Sequence, residues 1–301
     1  MRAITVAEFG DPSVLTPVDI PAPALRRGQL LVSVTGAGVG PWDAKARRGM
    51  YGPREFPYIP GAELSGVVEE VGANAEGFAV GDTVYASTGS GAYAEMAVVQ
   101  ADRTAHVPTT LDLVDAGAAA IGIGTAMEAL DDHLHLAPGD TVLIAGAAGG
   151  MGTFAVQIAK ARGARVIATA SPPNHDFLRG IGADEVLDYH GDWVEAAKAL
   201  TVDAALDCVG ASTWDGCVAA LRDGGRAVSI LRTVSLETDR DVTLSTFAAR
   251  ITGERLAEGT GLIDEGRVRV EISARLPLDD AVKAHEMIET GHTRGKIVLV
   301  P

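Results

Sequence analysis

The sequence predicts an α/β fold in which a compact β-rich unit accompanies a doubly wound parallel sheet. Three observations predict it. Residues 1–110 carry short β-type runs broken by Gly and Pro. From Leu111 onward, Ala- and Gly-rich helical patterns alternate with strands. At residues 141–152 a strand passes through a glycine-rich turn straight into a helix. The first texture favours a small barrel or sandwich. The second calls for parallel strands joined by right-handed crossovers.

Taken in order, the chain opens directly in a strand pattern at residues 1–6, and further β runs follow at 29–34, 66–71, 83–86 and 92–98. Turn signals such as Gly10-Asp11-Pro12 and Val80-Gly81-Asp82 separate them. A helix is expected at 125–130, opened by Thr125. The parallel strands are expected at 141–145, 165–170, 185–187, 203–208 and 226–230, with helices between them, the first at 153–161. Residues 233–250 carry no clear period. The tail reads as a helix at 253–265, a strand at 268–272, an amphipathic helix from Asp279 to near Gly291, and a closing strand at 296–300.

Composition narrows the function. A chain of 301 residues with 47% hydrophobic content supports two cored domains, and no apolar run reaches membrane-spanning length. A net charge of −15 speaks against nucleic acid and anionic membranes as partners. Cys208 and Cys217 cannot build a disulfide framework, and no export signal is evident. The expected setting is a reducing cytoplasm. The pair His133 and His135 lies just before Pro138-Gly139-Asp140 and reads as a helix end rather than a metal site.

The glycine turn, Gly146-Ala147-Ala148-Gly149-Gly150-Met151-Gly152, points to a dinucleotide. Backbone N–H groups converge where such a turn meets a helix N-terminus, and that suits a pyrophosphate. Gly149 lets the backbone approach the phosphates and Gly152 lets helix and strand pack closely, although Ala147 stands where the first glycine of the fingerprint is expected. In NAD-binding folds a carboxylate about 20 residues on accepts from the ribose hydroxyls. Here that count lands on Thr169-Ala170-Ser171. No carboxylate is present to repel a 2′-phosphate, and Ser171 can donate to one, so NADP(H) is favoured over NAD(H).

Several segments, in this order, resemble the medium-chain dehydrogenase/reductases, specifically the zinc-free quinone oxidoreductase (ζ-crystallin-like) branch. They are Gly38-Val39-Gly40-Pro41-Trp42-Asp43, Pro60-Gly61-Ala62-Glu63-Leu64-Ser65-Gly66-Val67-Val68, Gly81-Asp82-Thr83-Val84 and Gly91-Ala92-Tyr93-Ala94-Glu95. Gly124-Thr125-Ala126-Met127-Glu128-Ala129-Leu130, the glycine turn, Gly182-Ala183-Asp184 and Gly295-Lys296-Ile297-Val298-Leu299 complete the series. The resemblance implies a GroES-like, β-barrel-type catalytic domain (residues 1–110), an inserted Rossmann NADP-binding domain (111–245), and a return segment (246–301) that completes the first. It implies a nicotinamide in the cleft between domains and, because relatives pair through the edge of the Rossmann sheet, a homodimer.

For the cofactor, the resemblance places Thr125 beside the nicotinamide half, with Ala148, Gly149, Gly150, Met151 and Gly152 around the pyrophosphate. Cys208 and Val209 end the fourth strand of the sheet, Ile230 and Leu231 end the next, and Lys296 is a contact on the returning segment. Relatives add a lysine after Ser171. This chain has Asn174 and His175 there, with Arg179 and Tyr189 as substitutes that read equally as a surface arginine and a packing tyrosine. Zinc-dependent members hold metal with a Cys in the loop before Asp43 and a His in a Gly-His-Glu motif. The loop here is Gly38-Val39-Gly40-Pro41, the motif is Gly61-Ala62-Glu63, and the four-cysteine structural lobe is missing. Metal is therefore not expected.

Without a Lewis acid the fitting acceptor is a quinone or enone, over which the arriving charge spreads. Asp43 is expected to order its loop, Trp42 to stack on a flat substrate, and Tyr51 to donate toward the acceptor oxygen. Two alternatives stay open. One is an alkenal or enoyl thioester reductase, for which Lys45, Arg47 and Arg48 are the only candidate basic patch. The other is a protein that binds NADPH without turnover.

Overall fold

The computed structural model describes residues 1–301, apart from the side chain of residue 211. The chain forms two compact units, one of residues 1–121, 251–266 and 270–301, the other of residues 122–250 and 267–269.

The first unit begins with β1 (Arg2–Val6) and β2 (Leu15–Asp19), an antiparallel pair. It continues through β3 (Gln29–Val39), α1 (Pro41–Arg47), β4 (Glu63–Val71), β5 (Thr83–Ser87), β6 (Met96–Gln100), β7 (Thr104–His106) and α2 (Leu113–Ala116). The expected strand at 92–98 starts later. The amide of Tyr93 is bonded to Pro60 O, and residue 94 only bridges to Ala3.

The second unit carries α3 (Ala120–Met127), which runs on into a π-helical segment at Glu128–His133. Thr125 therefore lies inside a helix rather than opening one. Gly122 permits this, since a Cβ there would meet the Phe154 ring at 2.5 Å. Then come β8 (Thr141–Ala145), α4 (Gly152–Ala161), β9 (Arg165–Ala170), α5 (His175–Gly180), β10 (Glu185–Asp188), α6 (Trp193–Lys198), β11 (Val202–Asp207), α7 (Ala211–Ala220), β12 (Leu221–Ser229) and β13 (Val242–Thr246). They form a parallel six-stranded sheet in the order β10-β9-β8-β11-β12-β13. All five residues of β8 are buried, as a strand covered on both faces must be. β13 falls within the stretch that showed no period. It is a half-exposed edge strand, so its residues need not be uniformly apolar.

The chain closes with α8 (Gly253–Asp264), β14 (Ile272–Pro277), α9 (Ala281–Glu289) and β15 (Lys296–Val300). The sheet of the first unit runs β14-β15-β3-β4-β5-β7, with β6 also on β3. The strand expected at 268–272 is displaced to Ile272–Pro277. At Arg269 the backbone N–H and C=O are both engaged by the Gln157 side chain, at 2.9 and 3.0 Å, and so are unavailable to a ladder.

Candidate cofactor and active site

In the second unit the sheet order reverses around β8 and β11, the place where open α/β sheets bind ligands at their C-terminal ends. β8 ends at Ala145, and Gly146 turns the chain at φ +74°. A Cβ on Gly152 would lie 2.3 Å from Gly146 O and 2.7 Å from the Ala147 Cα, so only glycine lets α4 start this close to the turn. Ala147, which replaces the expected first glycine, is fully buried beneath it. Ala148, Gly149 and Gly150 remain partly open, and Met151 is nearly buried. The ten-residue helix α4 then presents its unbonded first amides toward this turn.

α3 packs on the same turn, because a Cβ on Gly122 would also lie 3.1 Å from Gly150 O. Thr125 follows one turn later, and its Oγ1 is buried without a partner. A buried hydroxyl of this kind calls for a partner from outside the chain, a ligand group or an ordered water. At the end of β11 the buried Asp207 carboxylate accepts from the amides of Val209 and Gly210 at 3.1 Å, from Thr213 Oγ1 at 2.6 Å and from Ser229 Oγ at 2.7 Å. Those bonds fold Cys208 and Val209 toward the glycine turn, where a Cβ on Gly146 would meet Val209 at 2.7 Å. Ile230 donates its amide to Asp207 O at 3.1 Å, and the Leu231 side chain reaches the space of a Gly210 Cβ. Burial, with Asp207 beside it, pushes the Cys208 thiol up, so it packs as a small apolar group against Met151 Sδ at 3.9 Å.

At the ends of β9 and β10, Asn174 donates to Ser171 Oγ at 3.3 Å and Tyr189 is exposed against His190. Arg179 is paired with Asp176 at 3.0 Å, which fits the surface reading. The predicted cofactor residues of the second unit therefore gather around the strand ends and the glycine turn. The open cradle, the orphan Thr125 hydroxyl and a strand end without a carboxylate all fit a phosphorylated dinucleotide.

Lys296, expected from the resemblance to be a cofactor contact, belongs to the first unit, where its charge is turned inward. Its side chain is 2% exposed, with Nζ 2.6 Å from Glu63 Oε1 and 4.6 Å from the Trp42 ring centroid. The other Glu63 oxygen accepts from the Ile121 amide at 2.8 Å. Both partners sit in the core, where a charge without a counter-charge is costly, so they pair. The Trp42 indole covers Gly40, since a Cβ at Gly40 would come within 2.2 Å of it.

Asp43 caps α1 by accepting from the Gly40 amide at 2.9 Å, which orders the loop as expected. Burial pushes its carboxyl up to about 7 against the pull of that amide, with Glu63 adding to the rise and Lys296 opposing it. Behind it, Tyr93 OH lies 3.2 Å from His285 Nε2, and burial holds the imidazole down at about 4. Tyr51 is 64% exposed in the turn after α1. Arg47 is fully buried on Glu289, and Arg48 Nε meets the same carboxylate oxygen at 2.7 Å. Of the basic patch expected for carrier thioesters, Arg47 is thus withdrawn into the core, while Arg48 stays half exposed. From the sequence, Tyr93, His285 and Gly122 take no site role, and Asp207 is placed only at the end of its strand, not as the acceptor that organises the following turn. Only Asp207, next to the Cys208–Gly210 turn, carried a local signal.

Comparison with known proteins matches residues 26–109 to an alcohol dehydrogenase GroES-like domain and residues 181–299 to a zinc-binding dehydrogenase family. The quinone oxidoreductase of Rattus norvegicus is 32% identical over 321 residues, covering 100% of this chain and 98% of the relative. An NADPH-dependent alkenal/one oxidoreductase of Arabidopsis thaliana is 29% identical, covering 100% and 80%. The crystal structure of Escherichia coli quinone oxidoreductase complexed with NADPH superposes with a TM-score of 0.91 at 28% identity, over 100% of both chains. With the glycine cradle, the parallel sheet and the GroES-like strands all in place, the chain belongs to the medium-chain dehydrogenase/reductase superfamily, in its quinone oxidoreductase branch.

Proposed function

We propose that the protein is an NADPH-dependent reductase of quinones and other conjugated carbonyls that works without zinc. The observation that carries the reading is the cradle at Gly146–Gly152, open to a pyrophosphate and closed to any side chain at Gly152. Relatives named for quinone and for alkenal/one reduction supply the acceptor class. The bound nicotinamide supplies the hydride. The protein's part is to hold it and the acceptor in register and to exclude water.

We assign the pyrophosphate to residues 148–152, the nicotinamide half to Thr125, Cys208, Val209, Ile230 and Leu231, and the adenosine end to Ser171, Asn174 and Tyr189. Trp42 and Tyr51 are the proposed acceptor contacts, the first as a flat apolar surface and the second as a hydroxyl donor. Asp43 keeps the Trp42 loop ordered through its bond to Gly40. Zinc independence is supported by the loop Gly38-Val39-Gly40-Pro41 and the segment Gly61-Ala62-Glu63, which carry neither the Cys nor the His expected of metal-binding relatives. Among the described residues no group of three or more His, Cys, Asp or Glu is placed to hold a metal ion. Burial of Arg47 on Glu289 speaks against a coenzyme A thioester as the acceptor.

Among the described residues no helix is long and apolar enough to cross a membrane. A cytoplasmic homodimer joined at the outer edge of the parallel sheet is the proposed state, checked by light scattering. The catalytic test follows NADPH oxidation against 1,4-benzoquinone, 9,10-phenanthrenequinone and a 2-alkenal, and NADP⁺ reduction by a simple alcohol, each with and without a chelator. Quinone or alkenal turnover that ignores the chelator is expected. Alcohol oxidation abolished by chelation overturns the proposal, and equal kcat/KM for NADH and NADPH overturns the cofactor preference.

A further inference from the structure

Resting on the NADPH reading but going beyond it, we infer that His190, held on Asp188 and seated on Tyr189, acts with His175 as the cationic part of the site for the ribose 2′-phosphate, so that binding the phosphorylated cofactor takes up a proton from solvent. A phosphate needs cations or donors at the ends of β9 and β10. From 170 to 192 the basic side chains are His175, Arg179 and His190. Arg179 is engaged by Asp176. The two imidazoles remain.

Their placement follows from the sheet. Asp188 pairs with Ala170, so Ser171 and Tyr189 leave neighbouring parallel strands about 5 Å apart. His190 Nδ1 lies 2.8 Å from Asp188 Oδ1, and the His190 amide donates to the same oxygen at 3.0 Å. A carboxylate accepts, so Nδ1 carries the proton and Nε2 is left for another partner. The Tyr189 ring, 4.2 Å from the imidazole centroid, fixes its plane. His175 Nε2 lies 3.1 Å from Ala170 O and must donate to it, which leaves its Nδ1.

Asp188 feels both rings. Its carboxyl is held low chiefly by the His190 amide and side chain, with His175 adding to the effect. The remaining charged groups nearby are already engaged. Asp176 and Arg179 neutralise each other on α5, and the Asp192 carboxylate caps α6 through the Glu195 amide.

With both imidazoles neutral, the cluster offers an incoming phosphate dianion only the negative charge of Asp188. Protonating both reverses the sign of the cluster. A lysine would stay charged throughout, whereas imidazoles change charge in the physiological range. The phosphate's own second ionisation, near pH 6, works the other way and tightens binding to a fixed cation as pH rises.

The test is calorimetric titration of the whole protein with NADPH and with NADH at about pH 6 and about pH 8, in buffers of different ionisation enthalpy. NADPH affinity is expected to fall about fivefold or more toward the higher pH, with proton uptake, while NADH shows neither. His190→Ala is expected to weaken NADPH binding by a similar factor and leave NADH unchanged. His190→Lys is expected to keep NADPH affinity and to reduce its pH dependence to the share that His175 contributes. NADPH binding that is indifferent to both pH and His190 overturns this inference and leaves the cofactor reading standing. Failure of the unmodified protein to bind NADPH at either pH overturns both.

Discussion

Gly152 and Gly149 lie three residues apart in one turn, and their surroundings predict opposite tolerance. A Cβ on Gly152 would enter the backbone at 2.3 Å, whereas one on Gly149 would meet only Gly146 O, at 3.3 Å. Gly152→Val is therefore expected to push α4 off the turn and abolish NADPH binding, with circular dichroism showing the rest of the fold retained. Gly149→Ala is expected to bind within about tenfold of the parent. Fluorescence titration separates them, and equal affinity for the two variants would disprove the cradle geometry. Both glycines were legible in the sequence because a turn and a helix start fall within seven residues, but the turn's own packing demands glycine only at 152. Trp42 against Gly40 was not legible in that form, since a ring folding back over a glycine depends on where Lys296 and Glu63 arrive.

At the scale of elements, the pair of Lys296 on β15 and Glu63 on β4 ties the returning segment into the sheet of the first unit. Lys296→Met leaves a buried carboxylate without its counter-ion and is expected to cost about 3–5 kcal/mol. The double variant Lys296→Met with Glu63→Gln is expected to recover most of that, because neither partner is then charged. Urea unfolding of the single and double variants measures the difference, and a Lys296→Met protein as stable as the parent would show the pair to be idle.

The parallel strands other than β13 were readable from apolar runs and turn chemistry. Three features were not. β13 is a half-exposed edge strand without an apolar signature. β14 starts at Ile272 because Gln157 takes the Arg269 backbone. α3 continues through Gly122, which reads as a helix breaker until the Phe154 ring is seen to require it.

Across the whole molecule, two buried groups of opposite sign shape the response to pH. His285 is held at about 4 against 6.5 for a free imidazole. The unfolded chain thus binds the proton first, and stability is lost as pH falls from the free value toward about 4, by about 3 kcal/mol in all. Asp43 is raised to about 7 from 3.8, so its cost grows as pH rises through that window and is full above it. The two slopes oppose each other between about pH 4 and about pH 6.5 and flatten the curve there. His285→Gln is expected to unmask the Asp43 slope, making the protein more stable toward acid. Unfolding midpoints across that range measure it, and a variant with the parent's flat profile would refute the opposition.

The sequence by itself determined the fold class, the glycine cradle and the absence of a carboxylate after β9, because each is written in neighbouring residues through backbone sterics and strand and helix periodicity. Only the tertiary structure decided that Lys296 serves Glu63, that Arg47 is buried on Glu289, and that Asp43, Tyr93 and His285 share one buried polar cluster. Those pairings join residues tens to hundreds of positions apart, and charge and desolvation act through space, so no local pattern in the chain records them.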